Sequence, residues 1–99
     1  MTIKLVNRES EAELLIEGRL DSNTAPDAEE AFKQTAERFD KIVLNFKNLE
    51  YLSSAGLRAL KNLHMTMKKK DGELVLTNVN KMVMEVFEMT GFAGLLKFE

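Results

Sequence analysis

Two adjacent hydroxyls, Ser53 and Ser54, stand directly before Ala55-Gly56-Leu57. A serine at the head of a helix can cap it, hold an anion against its free N–H groups, or accept a phosphate. Acting as a nucleophile would require a base within about 3 Å. The single histidine, His64, falls ten residues further along the same predicted helix. That is roughly 15 Å along the axis, so His64 is expected on the helix surface. The chain has no cysteine, which removes thiolate chemistry, disulfides and cysteine-based zinc sites together. With one histidine, no metal centre is expected either. No catalytic residue and no cofactor is therefore expected. Anion or nucleotide binding at Ser53-Ser54-Ala55-Gly56 stays open as a minor alternative.

A second polar cluster lies upstream, at Gly18-Arg19-Leu20-Asp21 with Asn23 and Thr24. By itself Asp21 reads as a loop residue closing an Asx-type turn. Both clusters need elements to position them, and the hydrophobic rhythm supplies these. Ile3 and Leu5 mark a strand from Thr2 to Asn7. Ala12, Leu14 and Ile16 mark a second, after a hairpin through Arg8–Glu11, and Gly18 is expected to end it. Arg19 to Asn23 reads as a loop. Thr24 is the candidate cap of a helix from Ala25 to Arg38, with Pro26 in its first turn. Ile42-Val43-Leu44 reads as a strand buried on both faces. Asn45 to Leu52 leads into a helix opening at the serine pair, with Leu57, Leu60, Leu63 and Met67 along one face. Its end is marked by Lys68–Lys70 and Gly72. Leu74–Leu76 is a further buried strand. Asn80 caps a helix over 81–90 that Gly91 stops, and Leu95–Phe98 forms a last short strand. Five methionines, Met65, Met67, Met82, Met84 and Met89, fall in these helices and are expected to fill the core.

The order β-β-α-β-α-β-α-β predicts one α/β domain over residues 1–99, with a mixed sheet and helices. Sites in such sheets lie beyond the carboxyl ends of strands. That places both polar clusters at one pole if the second and third strands run parallel. The net charge of −2 and the single short lysine run argue against nucleic-acid binding. No stretch is long and apolar enough to insert in a membrane, and no secretory leader is legible. The expected location is the cytoplasm.

Three segments together resemble a known family, the STAS domains, and within it the bacterial anti-sigma factor antagonists. They are Gly18-Arg19-Leu20-Asp21 with Thr24, then Leu52-Ser53-Ser54-Ala55-Gly56-Leu57, then Phe87-Glu88-Met89-Thr90-Gly91. The resemblance implies a phosphorylatable serine at Ser54, with Ser53 the less favoured choice. It implies a partner-binding surface of Asp21, Asn23, Thr24, Ser53, Ala55, Gly56 and Leu57. The implied partners are an anti-sigma factor serine kinase and a PP2C-type phosphatase, and the free protein is expected to be monomeric. Gly56 is expected to let partner backbone come close. Ser53 stands where this family often has Asp, so a fixed negative charge is missing. The alternative is a non-switching STAS subunit of a transport or sensory complex.

Overall fold

A computed structural model describes residues 1–99. Strands β1 (Thr2–Arg8) and β2 (Glu11–Leu20) form an antiparallel hairpin. The chain continues through α1 (Ala25–Arg38), β3 (Lys41–Asn45), β4 (Leu49–Leu52), α2 (Ser54–Lys69), β5 (Glu73–Thr77), α3 (Lys81–Thr90) and β6 (Lys97–Phe98). A 3-10 turn at Phe92–Gly94 precedes β6. The main sheet runs β1-β2-β3-β5-β6, and every pair beyond the hairpin is parallel. The expected fold class, a single mixed α/β sheet with three helices, is what forms.

Alternation along the strands decides which face the helices cover. Leu14 and Ile16 of β2, Ile42 and Leu44 of β3, and Leu74 and Leu76 of β5 are buried in one cluster. Phe32 of α1, Leu57, Leu60, Leu63 and Met67 of α2, and Val83 and Phe87 of α3 complete it. Each such side chain contributes about 1.5–3 kcal/mol on burial. All three helices therefore share one face of the sheet. On the opposite face polar side chains bridge neighbouring strands. Arg8 pairs with Glu13, Asn45 Nδ2 donates to Glu13, Lys41 lies between Glu11 and Glu73, and Lys97 pairs with Glu73.

Five expectations are corrected. First, the stretch from Asn45 to Leu52 is not only a lead-in to α2, because its second half forms β4. This strand pairs in parallel with the last residues of β2, Gly18 to Leu20. Second, Gly18 does not end β2. Its φ of +92° makes a register shift, and the strand resumes through Arg19 and Leu20. Thus β2 is long enough to pair β3 with its first half and β4 with its second. Third, β3 is not buried on both faces: Ile42 and Leu44 are buried, but Val43 is only half-buried. Because no helix lies on that side, β3 alternates. Fourth, the methionines divide. Met67 is buried, while Met65, Met82 and Met89 are exposed because their helix positions point away from the sheet. Fifth, the last strand is shorter than expected, since Leu95 lies exposed beyond the 3-10 turn.

Candidate functional site

The two polar clusters do meet at one pole. Ser53 N–H donates to Leu20 C=O at 2.9 Å, next to Asp21 in the chain. This bond continues the β2–β4 ladder, so the strand missed in the sequence is what brings the clusters together.

Asp21 holds its own loop in shape. Its Oδ1 accepts from Asn23 N–H at 3.0 Å and from Thr24 N–H at 3.2 Å, which is the Asx-type turn expected from the residue alone. Partial burial raises its pKa. The backbone donors of Asn23 and Thr24, the Thr24 hydroxyl and Arg19 outweigh that and hold the carboxylate below its ordinary value. Asp21 is therefore a fixed anion at neutral pH. Thr24 occupies the N-cap position of α1, but its hydroxyl does not cap the helix. Thr24 is itself in helical backbone geometry, so its side chain turns back. It donates to Arg19 C=O at 2.8 Å and accepts from Asp21 N–H at 2.9 Å. Thr24 is half-buried and Asn23 is exposed.

At the second cluster the two serines divide the roles. Ser53 adopts extended backbone and is the N-cap of α2. Its Oγ accepts from Gly56 N–H at 3.4 Å. Ser54 is the first helical residue and is exposed, while Ser53 and Ala55 are half-buried. Helix geometry leaves the N–H groups of Ser54 and Ala55 without an intrahelical acceptor. The Ser54 side chain therefore stands at the positive end of a sixteen-residue helix.

Two residues expected at a partner surface face inward. Leu57 is buried in the core. Gly56 is also buried, and a Cβ there would lie 2.7 Å from Leu52 Cδ1 and 2.8 Å from Leu20 Cγ. The missing side chain lets α2 approach β2 and β4, so its close contact is with this chain's own strands. Neither residue is available to a partner.

Sequence reading placed Arg19 in the upstream cluster but missed Tyr51 and the pairing of the two. They are register partners on β2 and β4, and the Arg19 guanidinium carbon lies 4.2 Å from the centre of the Tyr51 ring. The alternation of exposed Arg19 and Tyr51 with buried Leu20 and Leu52 was the available signal. Gly18 obscured it. His64 is half-buried on α2. No group of three or more histidine and carboxylate side chains is gathered for a metal, and no helix is long and apolar enough to cross a membrane.

The sequence model of the STAS domain matches residues 3–99. The chain belongs to the STAS domain family. Among curated relatives, this STAS domain is 38% identical over 72 residues to BtrV of Bordetella bronchiseptica, provisionally named an anti-sigma factor antagonist. That match covers 69% of this chain and 62% of BtrV. It is 24% identical over 96 residues to the anti-sigma-B factor antagonist of Bacillus subtilis, covering 97% of this chain and 88% of the relative. Its fold superposes on the anti-sigma factor antagonist SpoIIAA in two states. The unphosphorylated form gives a TM-score of 0.79 at 15% identity, over 99% of this chain and 87% of the other. The phosphorylated form, from Bacillus, gives 0.78 at 16% identity, over 99% and 91%.

Proposed function

We propose that this STAS domain is an anti-sigma factor antagonist switched at Ser54. In this reading the unmodified form binds an anti-sigma factor serine kinase and frees a sigma factor. Phosphorylation of Ser54 by that kinase breaks the complex, and a PP2C-type phosphatase restores it. The observation that carries the reading is the exposed Ser54 side chain at the mouth of α2, beside the Asp21 loop. The names of the relatives support the same assignment.

The physics of the switch follows from that position. A phosphate adds about −1.5 to −2 charges at neutral pH. On this side of the molecule the added charge meets free N–H groups and the positive helix end, so the domain tolerates it. A partner surface shaped for a neutral hydroxyl does not. It would hold a buried, unpaired anion close to the fixed charge of Asp21. A penalty of about 3–4 kcal/mol weakens binding several hundredfold. Asp21, Asn23, Ser53 and Ala55 are the partner-facing residues in this reading. Thr24 acts by holding the Asp21 loop.

The test is incubation with ATP and the serine-kinase anti-sigma factor of the organism that encodes this chain, with the modified residue mapped by mass spectrometry. Phosphate is expected on Ser54, with Ser54→Ala unmodified and still bound, and Ser54→Asp unable to bind. Modification of Ser53 alone, or tight binding of Ser54→Asp, would overturn the reading.

A further inference from the structure

Beside Ser54 lies a second feature that the phosphorylation switch does not use. Arg19 and Tyr51 stand next to each other on β2 and β4, on the strand positions that point away from the core. Arg19 is 62% exposed at its side chain, and Tyr51 is 38% exposed. Long exposed arginines are ordinarily mobile, and ordering one costs rotamer entropy. Here the order is built in. The guanidinium lies over the Tyr51 ring at 4.2 Å, and its Nε is 3.5 Å from Asp21 Oδ2. Asp21 is itself fixed by the Asn23 and Thr24 backbone N–H groups. One face and one edge of the guanidinium are thereby occupied. The Nη edge, which makes forked hydrogen bonds to carboxylates, is left for an outside group.

The local charge pattern adds to this. Two segments frame Ser54, residues 18–26 and 48–57. Lys47 and Arg58 border the second segment, but Arg19 is the cation here that is held both by an aromatic ring and by a carboxylate, beside Asp21 and Glu50. Arginine and tyrosine are also the residue types that most often concentrate binding energy, especially when held rigid before the partner arrives.

We infer that the Arg19–Tyr51 stack is a preformed anchor that receives an acidic side chain of the anti-sigma factor, and so helps to set which anti-sigma factor binds. The inference rests on the function proposed above and names a determinant of that interaction separate from Ser54. The acidic group pairs with the open edge of Arg19, while an apolar neighbour covers the exposed part of Tyr51. Phosphorylation acts at Ser54, and partner choice is made at Arg19.

The experiment is calorimetric titration of the purified serine-kinase anti-sigma factor into the whole chain. Wild type is compared with Arg19→Ala, Arg19→Glu, Tyr51→Ala, the double variant Arg19→Ala with Tyr51→Ala, and Ser54→Asp. Unfolding midpoints are measured for each, since both anchor residues are exposed enough for their variants to fold. Arg19→Ala and Tyr51→Ala are each expected to raise Kd by about tenfold or more. The double variant is expected to lose less than the product of the two, because the side chains act as one unit. Arg19→Glu is expected to bind more weakly than Arg19→Ala, because it sets two anions against each other. Binding of Arg19→Ala within twofold of wild type, with Ser54→Asp still inactive, would overturn the anchor and leave the switch standing. Equal affinities of Arg19→Glu and Arg19→Ala would overturn the acidic partner group. Absence of wild-type binding would overturn both the anchor and the proposed function.

Discussion

A methyl group added at Gly56 has nowhere to go. It would meet Leu52 Cδ1 at 2.7 Å, Leu20 Cγ at 2.8 Å and the Leu20 carbonyl oxygen at 2.9 Å. The side chains could yield, but the carbonyl belongs to the ladder and accepts from Ser53 N–H. Alanine is the better helix former by about 1 kcal/mol, and overpacking of this kind costs about 1–3 kcal/mol. The contact with backbone decides the sign. Gly56→Ala is expected to lower stability by about 1–2 kcal/mol, read as a shift in the urea midpoint at unchanged slope. It is also expected to weaken partner binding, because pushing α2 outward moves Ser54 relative to Asp21. An unchanged urea midpoint would show that the close approach is relieved without cost.

At the scale of elements, the weakest attachment is β6. It has two residues, pairs only with β5, and is reached through a 3-10 turn. Phe98 packs against Phe87 with ring centres 5.7 Å apart, and Lys97 is hydrogen-bonded to Glu73 of β5. Lys97 and, secondarily, Lys41 hold the Glu73 carboxyl below its ordinary 4.5. The same Glu73 contact holds Lys97 above its ordinary 10.5. The two shifts define a pH window. The Glu73 contribution is present above its unfolded pKa and is lost as pH falls through the lower folded value. The Lys97 contribution is complete below its unfolded pKa and is lost as pH rises through the higher folded value. Lys97→Met is therefore expected to lower the thermal midpoint slightly at neutral pH. That difference should vanish in acid as Glu73 protonates, and in strong base as wild-type Lys97 loses its proton. A midpoint difference independent of pH would assign the effect to packing of the lysine stem instead.

For the whole molecule, the proposed modification of Ser54 is expected to be separable from folding. All three helices lie on one sheet face around a single core cluster. The Ser54 side chain is outside that core, at the end of α2. A negative charge at a helix N-terminus contributes about 0.3–1 kcal/mol of stabilisation at the surface. Stoichiometric phosphorylation of Ser54 is thus expected to leave the far-ultraviolet circular dichroism unchanged. The thermal midpoint should move by less than about 8 °C, while kinase binding is lost. Loss of helical signal or a broadened melt on phosphorylation would mean that the switch works by unfolding α2.

The sequence by itself determined the local elements. Apolar residues at helical spacing set α1 and α3 to the residue. Asn80 capped α3 through Val83 N–H, and Gly91 ended it with a φ of +82°. These features depend on neighbours within a few positions, so they were legible without the fold. What only the tertiary structure decided was β4, the continuation of β2 past Gly18, and the inward direction of Gly56 and Leu57. The segment Leu49-Glu50-Tyr51-Leu52 breaks strand alternation, because Glu50 and Tyr51 are both exposed and the alternation of Tyr51 with Leu52 is out of step with Leu49. It is a strand because the far end of β2 has backbone groups to pair, and that pairing joins residues about thirty positions apart. The Arg19–Tyr51 stack and the meeting of Asp21 with the serine pair both depend on this non-local ladder. A chain read one residue at a time holds no record of it.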